Sequence, residues 1–416
     1  LIIDAAHPFA SSLHSTIESV SHKLGIPVIR LERRYPYADY EKIVWCESFQ
    51  EAIIAMEAEG IERLLALTGV QTIKKLKPHW SRHQTWFRIL NREESIEIAA
   101  AEGFPADRVV YYDETSLDSL LKSIRPDGII TKESGETGGF IEKIEAARQY
   151  GIKVFVVKRP KLSDDFIIVD GRHSLRREVE MLLPEFYPLH TGFTTGSCAT
   201  AAAKAALVAL LTCKKVDDID FRIPDGETMH MQIESVTTCG DAAIATVVKD
   251  AGDDPDVTNR SRISVKVSYA QHEGIRFFGG EGIGTVTIPG LGLPVGEAAI
   301  NPIPRAMMVS ELSSLYNGGL DVTISLDGGA EIAKRTFNPR VGVFGGVSII
   351  GTSGIVQPFS HEAFLESIRR EMKVALANNC QMVAVNSGAK SEQFMKALLP
   401  ELPQQAFIHY GNAIGE

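Results

Sequence analysis

The densest group of side chains that could do chemistry lies in residues 190–205, HTGFTTGSCATAAAKA, where a polar loop runs into an alanine-rich helix. The first turn of a helix presents free backbone N–H groups and the positive end of the helix dipole, which favour an anion. We therefore predict substrate contacts there, while capping of the helix is the simpler alternative because Thr and Ser cap most helices. The predicted contact residues are Thr194, Thr195 and Ser197.

A second group is the acidic segment KDAGDDPDVT at residues 249–258, with four Asp residues in one short loop. Asp250 and Asp253 are the predicted catalytic carboxylates, which would accept a proton or orient the substrate. Lys249 and Arg260 would hold a ligand that carries carboxylates. The alternatives are a hard-cation site and a solvated turn. The spacing is not that of an EF-hand loop, and we predict no protein-bound metal.

Two Asn-Pro pairs precede arginines in INPIPR, residues 300–305, and in FNPR, residues 337–340. Asn-Pro favours a turn, and arginine can grip a carboxylate with two parallel hydrogen bonds. The alternative is a pair of structural turns with surface arginines. The glycines of GGVSIIGTSG, residues 345–354, would let the backbone approach a flat ligand. The predicted substrate-binding residues are Asn301, Arg305, Asn338 and Arg340.

Two loops in the first half of the chain carry further candidates. His7 in AAHPFA follows a predicted strand, and the next residue is a proline that would aim the imidazole toward the end of the sheet. The loop TKESGETGG at residues 131–139 suits a phosphate or a carboxylate. Both loops could equally be ordinary turns. The predicted ligand-binding residues of the second loop are Lys132, Ser134 and Gly135.

These residues need a scaffold, and the hydrophobic pattern predicts an α/β protein. Residues 1–187 alternate short β-branched runs with helical patterns, which indicates a Rossmann-like parallel sheet domain. Residues 188–359 carry short alternating runs with Gly-, Pro- and Asp-rich turns, which indicates an α+β domain. Residues 360–416 form a predicted smaller α/β lobe. The strands predicted in the first domain are residues 1–4, 26–31, 63–69, 85–90, 127–132 and 153–159, and its helices are residues 11–24, 49–59, 93–101, 116–124 and 139–150.

Composition narrows the classes of protein that need to be considered. A chain of 416 residues with a net charge of −10 is unlike a general nucleic-acid binder, and no apolar run reads as a membrane span. The five cysteines are scattered without a CxxC pair, which favours a reducing, cytoplasmic compartment. Both ends of the sequence read as strands of a fold that continues, so we expect a longer protein. A homo-oligomer is one possible assembly of the chain.

Long motifs in the second half resemble a known family. Residues 191–416 resemble the cobalt-precorrin-5B methyltransferase family, CbiD, through TGFTTGSCAT, KDAGDDPDVT, GEGIGTVTIPGL, INPIPR and NPRVGVFGGVSIIGTSGIV. Residues 1–187 resemble the precorrin-6A reductase family, CbiJ/CobK, through DAAHPFA, IPVIRLER, TKESGETGG and VVKRP. Because the two families act at consecutive steps of corrin ring synthesis, the chain is similar to a fusion of reductase and methyltransferase.

The resemblance implies two reactions on a cobalt-containing tetrapyrrole. One moves a methyl group from S-adenosylmethionine to C-1 of the macrocycle, and the other passes hydride from NADH or NADPH, with His7, Lys132 and Ser134 facing that second site. The reductase family's GGTxEGR-like loop is absent from this sequence. Two alternatives are a transferase or hydrolase built on Cys198 and a tetrapyrrole-binding protein without turnover. By the rule that ligands lie at strand ends, the candidates for the methyl donor's pocket are Asn386, Gly388, Gly411 and Asn412.

Overall fold

The computed structural model describes residues 1–32, 40–112, 114–135 and 139–411. The chain divides into two compact units, Leu1–Gly171 and Arg172–Glu416, which we call unit 1 and unit 2. This division falls before the boundary expected near residue 188. The helix that opens unit 2 is tied to that unit because Glu227 Oε2 accepts hydrogen bonds from the backbone N–H groups of His173 and Ser174, at 2.7 and 3.0 Å.

Unit 1 contains nine strands and six helices among its described residues, with 3-10 turns at Val70–Thr72 and Ala106–Arg108. The strands are β1 (Ile2–Asp4), β2 (Val28–Leu31), β3 (Ile43–Cys46), β4 (Arg63–Ala66), β5 (Gln84–Ile89), β6 (Val109–Tyr111), β7 (Gly128–Lys132), β8 (Lys153–Val157) and β9 (Ile167–Val169). The helices are α1 (Ser11–Leu24), α2 (Phe49–Ala58), α3 (Lys77–Trp80), α4 (Glu93–Ala101), α5 (Leu117–Ile124) and α6 (Phe140–Tyr150).

The parallel sheet predicted for unit 1 is divided into two. Six strands form an all-parallel sheet in the order β3-β8-β7-β4-β5-β6. The first two strands pair instead with β9 in a separate parallel sheet of order β1-β2-β9. The sequence pattern missed β3, β6 and β9 because runs of three or four residues are too short to show a period.

Helices cover both faces of the six-stranded sheet, as the prediction required. On one face, a core cluster includes Phe49 and Met56 of α2, Trp80 of α3 and Ala99 of α4. On the other face, a second cluster includes Leu121 of α5 and Ile144 of α6. The connection after β4 therefore runs over the first face and the connection after β7 over the second, although β4 and β7 are neighbours. Their carboxyl ends mark the point where the winding direction of the sheet reverses.

The fully buried His79, in α3, makes unit 1 sensitive to acid. Both ring nitrogens are buried and have no hydrogen-bond partner among the described residues, and burial together with the nearby His83 lowers the His79 pKa to about 4. The unfolded chain binds this proton near pH 6.5, so folded unit 1 is expected to lose up to about 3 kcal/mol as the pH falls from 6.5 to 4. His79→Phe should remove most of that loss, measured from urea midpoints at pH 7 and 4.5 by tryptophan fluorescence. An unchanged acid loss in the variant would assign it to other groups.

Unit 2 contains thirteen strands and six helices among its described residues, with 3-10 turns at Asn338–Val341 and Gln404–Ala406. The strands are β10 (Gly192–Phe193), β11 (Asp218–Arg222), β12 (Thr228–Gln232), β13 (Ser235–Cys239), β14 (Ala242–Val248), β15 (Arg262–Ala270), β16 (Ile275–Gly279), β17 (Thr285–Val286), β18 (Gly319–Leu326), β19 (Val343–Phe344), β20 (Ile355–Val356), β21 (Ala384–Asn386) and β22 (Phe407–His409). The helices are α7 (Arg172–Leu182), α8 (Thr195–Thr212), α9 (Pro302–Ser313), α10 (Gly329–Ala333), α11 (His361–Ala377) and α12 (Ala389–Leu398).

The core of unit 2 is α8 packed on a five-stranded mixed sheet of order β13-β14-β15-β18-β16. Small alanine side chains let α8 lie close to the inward-facing residues of β14 and β15, such as Ala245 and Val265. Helix α8 is long and apolar enough to span a membrane, but 72% of it is buried inside the unit, as expected for a core helix. The predicted α+β architecture is therefore confirmed.

Two details of unit 2 differ from the sequence prediction. Helix α8 begins at Thr195, so the Thr/Gly-rich segment is the first turn of the helix and not a loop before it. INPIPR is the start of α9 rather than a turn, because Asn301 is the N-cap and Pro302 occupies the first helical position, where its missing N–H costs nothing. The smaller α/β lobe is present, with α11 and α12 and the parallel pair β21–β22.

Candidate functional site

Three loops that the sequence singled out meet in unit 2. Strand β10 pairs with β20, so residues 190–194 lie against residues 348–359. The backbone N–H of Phe193 donates to Asp250 O at 2.7 Å, and that of Thr194 donates to Gly354 O at 3.1 Å. We call the meeting of residues 190–194, 249–260 and 348–359 the loop junction.

The loop junction depends on glycines where two backbones touch. A Cβ atom at Gly192 would lie 2.1 Å from the carbonyl carbon of Ala251, and one at Gly252 would lie 2.3 Å from His190 O. A Cβ at Gly351 would lie 2.2 Å from Thr194 Oγ1. These glycines therefore bring chain segments together, whereas the sequence analysis assigned the Gly-rich segment to a flat ligand.

The polar groups at the start of α8 are hydrogen-bonded within the chain itself. Thr194 Oγ1 accepts from the Ser197 N–H at 3.2 Å, and Ser197 Oγ donates to Gly354 O at 2.6 Å. Thr195 Oγ1 accepts from the Ile350 N–H at 2.9 Å, and Thr195 and Ser197 are both buried. The geometry does not support an anion site at this helix start, because its hydroxyl groups hold the loop junction in place.

Lys249 and Asp256 form a buried ion pair within the acidic loop. Lys249 is fully buried, and its Nζ lies 2.8 Å from Asp256 Oδ2. Burial raises the pKa of the Asp256 carboxyl, but Lys249 and the hydrogen bonds from Thr258 hold it below its usual value. The structure does not support direct substrate contact by Lys249, since its ammonium group is out of reach of solvent.

Asp250 and Asp253, the predicted catalytic carboxylates, each have a basic side chain as partner. Asp250 Oδ2 lies 3.1 Å from Arg177 Nη2, and its Oδ1 accepts from the Gly252 N–H at 2.9 Å. Although burial raises the pKa of Asp250, these contacts hold it below its usual value, which suits orientation rather than proton uptake. Asp253 Oδ2 lies 3.1 Å from His190 Nδ1 and accepts from the His190 N–H at 2.7 Å.

Arg260 is the predicted cation that remains available at the loop junction. It is exposed, and its guanidinium has no hydrogen bond or ion pair with any described residue. Its φ of 65° is in the left-handed region, which costs a residue with a side chain roughly 1 kcal/mol or more. The backbone N–H of Arg260 donates to Lys249 O at 2.9 Å. The loop that contains the buried Lys249–Asp256 pair therefore holds Arg260 in its left-handed conformation.

Arg305 and Asn301 stand at the start of α9, where the arginine is committed to the protein. Arg305 Nε donates to Ile300 O at 2.8 Å, and its Nη2 lies 2.8 Å from Glu297 Oε2. The Asn301 side chain makes no capping hydrogen bond. Arg305 therefore supports the segment before the helix, and its predicted grip on a substrate carboxylate finds no geometric support.

Arg340 and Asn338 also hold parts of unit 2 together. Arg340 Nε lies 2.9 Å from Glu371 Oε1, and its Nη1 lies 2.5 Å from Glu392 Oε2, which joins α11 and α12. Asn338 donates from Nδ2 to Gly346 O and accepts from Ser348 Oγ, both at 3.1 Å. The substrate role predicted for Arg340 is not supported, because the chain's own carboxylates occupy its guanidinium.

The strand ends of the smaller lobe contain one unsatisfied polar group. Asn386, at the end of β21, is 2% exposed; its Nδ2 donates to Ile408 O at 3.0 Å, while its Oδ1 is buried and has no partner among the described residues. Gly388 caps α12, and a Cβ at Gly411 would lie 2.9 Å from the Phe364 ring. Asn412, the remaining predicted cofactor residue, lies outside the described residues.

In unit 1, the predicted reductase residues occupy the ends of β1 and β7. His7 is exposed, and its Nδ1 accepts from the Phe9 N–H at 3.2 Å. Lys132 ends β7 with its Nζ 5.2 Å from the centre of the Phe9 ring, so the two loops meet. Ser134 is buried, and Gly135 has a φ of 72°.

Sequence reasoning missed three basic side chains beside these loops. Arg177 of α7 pairs with Asp250 and donates to Thr191 O, and His190 pairs with Asp253. In unit 1, His14 Nδ1 lies 2.8 Å from Asp4 Oδ2 and its Nε2 lies 3.1 Å from His7 O, which fixes the AAHPFA loop. The sequence signal for the pair in unit 1 was His14 on the first helix, which follows a strand that ends in Asp4.

One group of possible metal ligands exists among the described residues, consisting of His173, Asp225 and Glu227. Arg172 Nε donates to His173 Nε2 at 3.1 Å, so a cation already faces the imidazole. Glu227 Oε2 accepts the N–H groups of α7. The group therefore acts as the cap of a helix.

Cys198, the basis of the alternative nucleophile hypothesis, is fully buried, and burial raises its thiol pKa to about 12. Cys46 is also buried, and its pKa is raised to about 11. Because the thiolate is the reactive form, we expect iodoacetamide to label the exposed Cys213 and Cys239 in the native chain and to spare both buried thiols, as mapped by peptide mass spectrometry. Native labelling of Cys198 at the rate of the exposed thiols would revive the nucleophile hypothesis.

Comparison with known proteins finds two families, whose matches meet between residues 179 and 184, near the end of α7. Residues 1–179 match the family described as precorrin-6x reductase CbiJ/CobK, and residues 184–358 match the CbiD family. The chain is thus similar to a CbiJ/CobK segment, residues 1–179, followed by a CbiD segment, residues 184–358. A cobalt-precorrin-5B C(1)-methyltransferase of Geobacillus thermodenitrificans is 48% identical over 232 residues, which are 55% of this chain and 62% of that protein. The chain thus spans less than two thirds of the length of this curated relative.

Two solved structures show weaker likeness. The cobalamin biosynthesis protein CbiD of Archaeoglobus fulgidus is 28% identical, covers 54% of this chain and 71% of its own, and superposes with a TM-score of 0.34. A structure named CobK precorrin-6A reductase is 20% identical, covers 40% of this chain and 67% of its own, and also has a TM-score of 0.34. The residues that match the CbiD family, 184–358, include the loop junction except for residue 359.

Proposed function

We propose that unit 2 is a cobalt-precorrin-5B C(1)-methyltransferase that uses S-adenosylmethionine, and that unit 1 is the reductase of the next step. The observation that carries the first proposal is the 48% identity over 232 residues to a methyltransferase of that name. The match of residues 1–179 to the precorrin-6x reductase family supports the second. Five free cysteines agree with the cytoplasmic compartment that we propose for both activities.

In this proposal the loop junction binds the edge of the macrocycle. Arg260 is exposed, always charged and held in a strained conformation that points to a use beyond folding. It would pair with a peripheral carboxylate of the tetrapyrrole. Asp250 keeps Arg177 in place, and the buried Lys249–Asp256 pair fixes the loop that carries Arg260. The chain's contribution to rate is then alignment of the acceptor carbon and exclusion of water.

The donor pocket in this proposal lies at the end of β21. The orphaned Oδ1 of Asn386 fits a ligand that donates a hydrogen bond, such as a ribose hydroxyl or an amino group. Gly388 leaves open backbone beside it, where the nearest atom to an added Cβ would be His409 Nε2 at 3.6 Å. S-adenosylmethionine, when bound, supplies an electrophilic methyl group to the macrocycle carbon. Asn386 and Gly388 would hold its polar end.

In unit 1 we propose that Lys132 and Ser134 hold the ligand of the reductase reaction beside His7. A nicotinamide nucleotide, NADH or NADPH, supplies hydride when bound. Lys132 fits an anionic group of the nucleotide or the substrate, because burial lowers its pKa to about 8 and an anion would restore the charged form. His7 is placed on the same side of the unit through the contact of Phe9 with Lys132.

The methyltransferase proposal is tested by comparing Arg260→Met with Arg222→Met, an exposed arginine of β11 outside the loop junction. Arg260→Met should raise the KM for cobalt-precorrin-5B about tenfold or more with a smaller change in kcat, since a charged hydrogen bond to the ligand is lost. Arg222→Met should resemble the wild type. Equal kinetics for both variants would show that Arg260 does not bind the substrate. Folded wild-type protein that transfers no methyl group would contradict the proposed methyltransferase activity.

A further inference from the structure

Two residues of the loop junction have a left-handed backbone that does not close a helix. In the described part of the chain, five residues other than glycine have a positive φ. Arg125 and Cys213 are the C-caps of α5 and α8, and Asn379 follows the C-cap of α11, where a left-handed residue commonly ends the helix. The remaining two are Arg260, with a φ of 65°, and Phe359, with a φ of 53°. Both belong to the loop junction.

Phe359 combines this conformation with an exposed ring. It is 70% exposed, more than any other described phenylalanine. A bulky residue in the left-handed region is strained, whereas glycine adopts the same backbone freely. The backbone N–H of Phe359 donates to Asp254 Oδ1 at 3.1 Å, so the acidic loop holds the strained residue in place. Neither the exposed ring nor the strain favours folding, and residues strained in this way cluster at ligand-binding sites.

The loop junction offers a ligand one exposed cation and one aromatic ring. The four carboxylates of residues 249–258 are all bonded within unit 2, because three pair with basic side chains and that of Asp254 accepts the Phe359 N–H. Lys249 is buried. The guanidinium of Arg260 is exposed and has no hydrogen bond or ion pair with a described residue. The acidic loop therefore positions both Arg260 and, through Asp254, the ring of Phe359.

A cation beside an exposed ring fits a flat ligand that carries carboxylates. The ring of Phe359 can pack against the face of a conjugated macrocycle, in the offset contact that aromatic systems prefer. The guanidinium of Arg260 can hold a carboxylate at the edge of the same molecule. Both residues are tied to the acidic loop through their backbone N–H groups, that of Arg260 by a bond of 2.9 Å to Lys249 O. A ligand would therefore meet groups that are already ordered, which lowers the entropy cost of binding.

We propose that Phe359 packs its ring against the face of the tetrapyrrole whose peripheral carboxylate pairs with Arg260. This role rests on the proposed function, from which the tetrapyrrole is taken as the ligand of unit 2. Phe359 contributes to binding and to the selection of a flat macrocycle, and it takes no part in the transfer of the methyl group. Because its strained backbone presents the ring to solvent, replacing Phe359 should separate the requirements of folding from those of binding.

Two probes with the same carboxylates and different shapes test this contact in anaerobic titrations of the whole chain. Uroporphyrin is a flat conjugated macrocycle, whereas the methylene bridges of uroporphyrinogen break the conjugation and let the pyrrole rings tilt. The variants are Phe359→Gly and Phe359→Tyr. The control is Phe394→Ala, because Phe394 is 64% exposed on α12 and lies outside the loop junction. Isothermal titration calorimetry gives the affinities, and urea midpoints from circular dichroism give the stability of unit 2.

We expect Phe359→Gly to bind uroporphyrin about tenfold or more weakly than the wild type, and to bind uroporphyrinogen within about threefold of it. Phe359→Tyr keeps the ring and should bind both probes like the wild type, as should Phe394→Ala. The urea midpoint of unit 2 should not fall in Phe359→Gly, because glycine adopts this φ without strain. A residue with a merely structural role would not lose binding of the flat probe while stability is kept.

Arg260→Met should weaken the binding of both probes, which assigns the affected binding to the loop junction. Equal affinity of the wild type and Phe359→Gly for uroporphyrin, or an equal loss for the two probes, overturns the proposal. A wild type that binds no uroporphyrin overturns it as well. Binding that depends on the Phe359 ring, without methyl transfer from S-adenosylmethionine, would retain this contact and reject the methyltransferase activity.

Discussion

Arg340→Met is expected to cost about 3 kcal/mol of folding stability, because it leaves two nearly buried carboxylates without their shared partner. Glu371 and Glu392 are each 7% exposed, and Arg340 is bonded to both and to Phe407 O at 3.0 Å. The measurement is the urea midpoint of unit 2 followed by far-ultraviolet circular dichroism. The three tryptophans all lie in unit 1, so their fluorescence serves as an internal reference.

The ion pairs of Arg340 should also make the folding stability of unit 2 depend on pH. Burial raises the pKa of Glu392, but hydrogen bonds from Lys396 and Arg340 lower it to about 2. The stabilisation is complete above about pH 4.5 and is lost as the pH falls toward 2, so the wild type should lose more stability over that range than Arg340→Met. The control is Arg369→Met on α11, whose pair with Glu362 is exposed and should contribute little to folding stability. Similar losses in both variants would contradict the assigned role of Arg340.

Gly192→Ala is expected to open the loop junction and to lower methyl transfer by about a hundredfold or more, because a displacement of about an ångström at a reacting site has this effect. The added Cβ would lie 2.1 Å from the Ala251 carbonyl carbon and 2.4 Å from its Cα. Backbone atoms cannot move aside as a side chain can, so the hydrogen bond from Phe193 to Asp250 must lengthen. The accompanying loss of stability should be about 3 kcal/mol.

The matched control is Gly240→Ala in the turn between β13 and β14. Gly240 has a φ of 55°, and an added Cβ would meet nothing within 4 Å. Gly240→Ala should lower folding stability by only about 1 kcal/mol, the cost of the unfavourable φ, and should leave kcat/KM unchanged. Full activity in Gly192→Ala would show that the junction of the three loops is not part of the methyltransferase site.

The sequence predicted the scaffold well where periodic runs were long. Helices α1 and α4 have the bounds that the pattern indicated, because fourteen and nine residues are enough to show a period. The short strands β3, β6 and β9 carried too few residues for that signal. The division into two sheets was missed for the same reason, since β2 pairs with β9, which the sequence pattern did not predict.

The site residues were harder to predict because residue type does not reveal partners. The notable case is arginine: Arg260 and Arg340 look alike in their motifs, yet one is exposed without a described partner and the other is bonded to two carboxylates. Those carboxylates lie 31 and 52 positions away along the chain, as the bonds from Arg340 show. Lys249 is a similar case, because only packing reveals that its ammonium is buried. The motifs identified which loops meet, and the structure identified which side chains remain available.

The most direct test of the proposed function is anaerobic incubation of the chain with cobalt-precorrin-5B and S-adenosylmethionine carrying a ¹³C-labelled methyl group. Mass spectra and carbon NMR would follow the product with and without NADH or NADPH. We predict labelled methyl at C-1 of the macrocycle, and further reduction of that product only when a nucleotide is present. Folded protein that binds the tetrapyrrole but transfers no label would contradict the methyltransferase assignment and leave a binding protein without turnover.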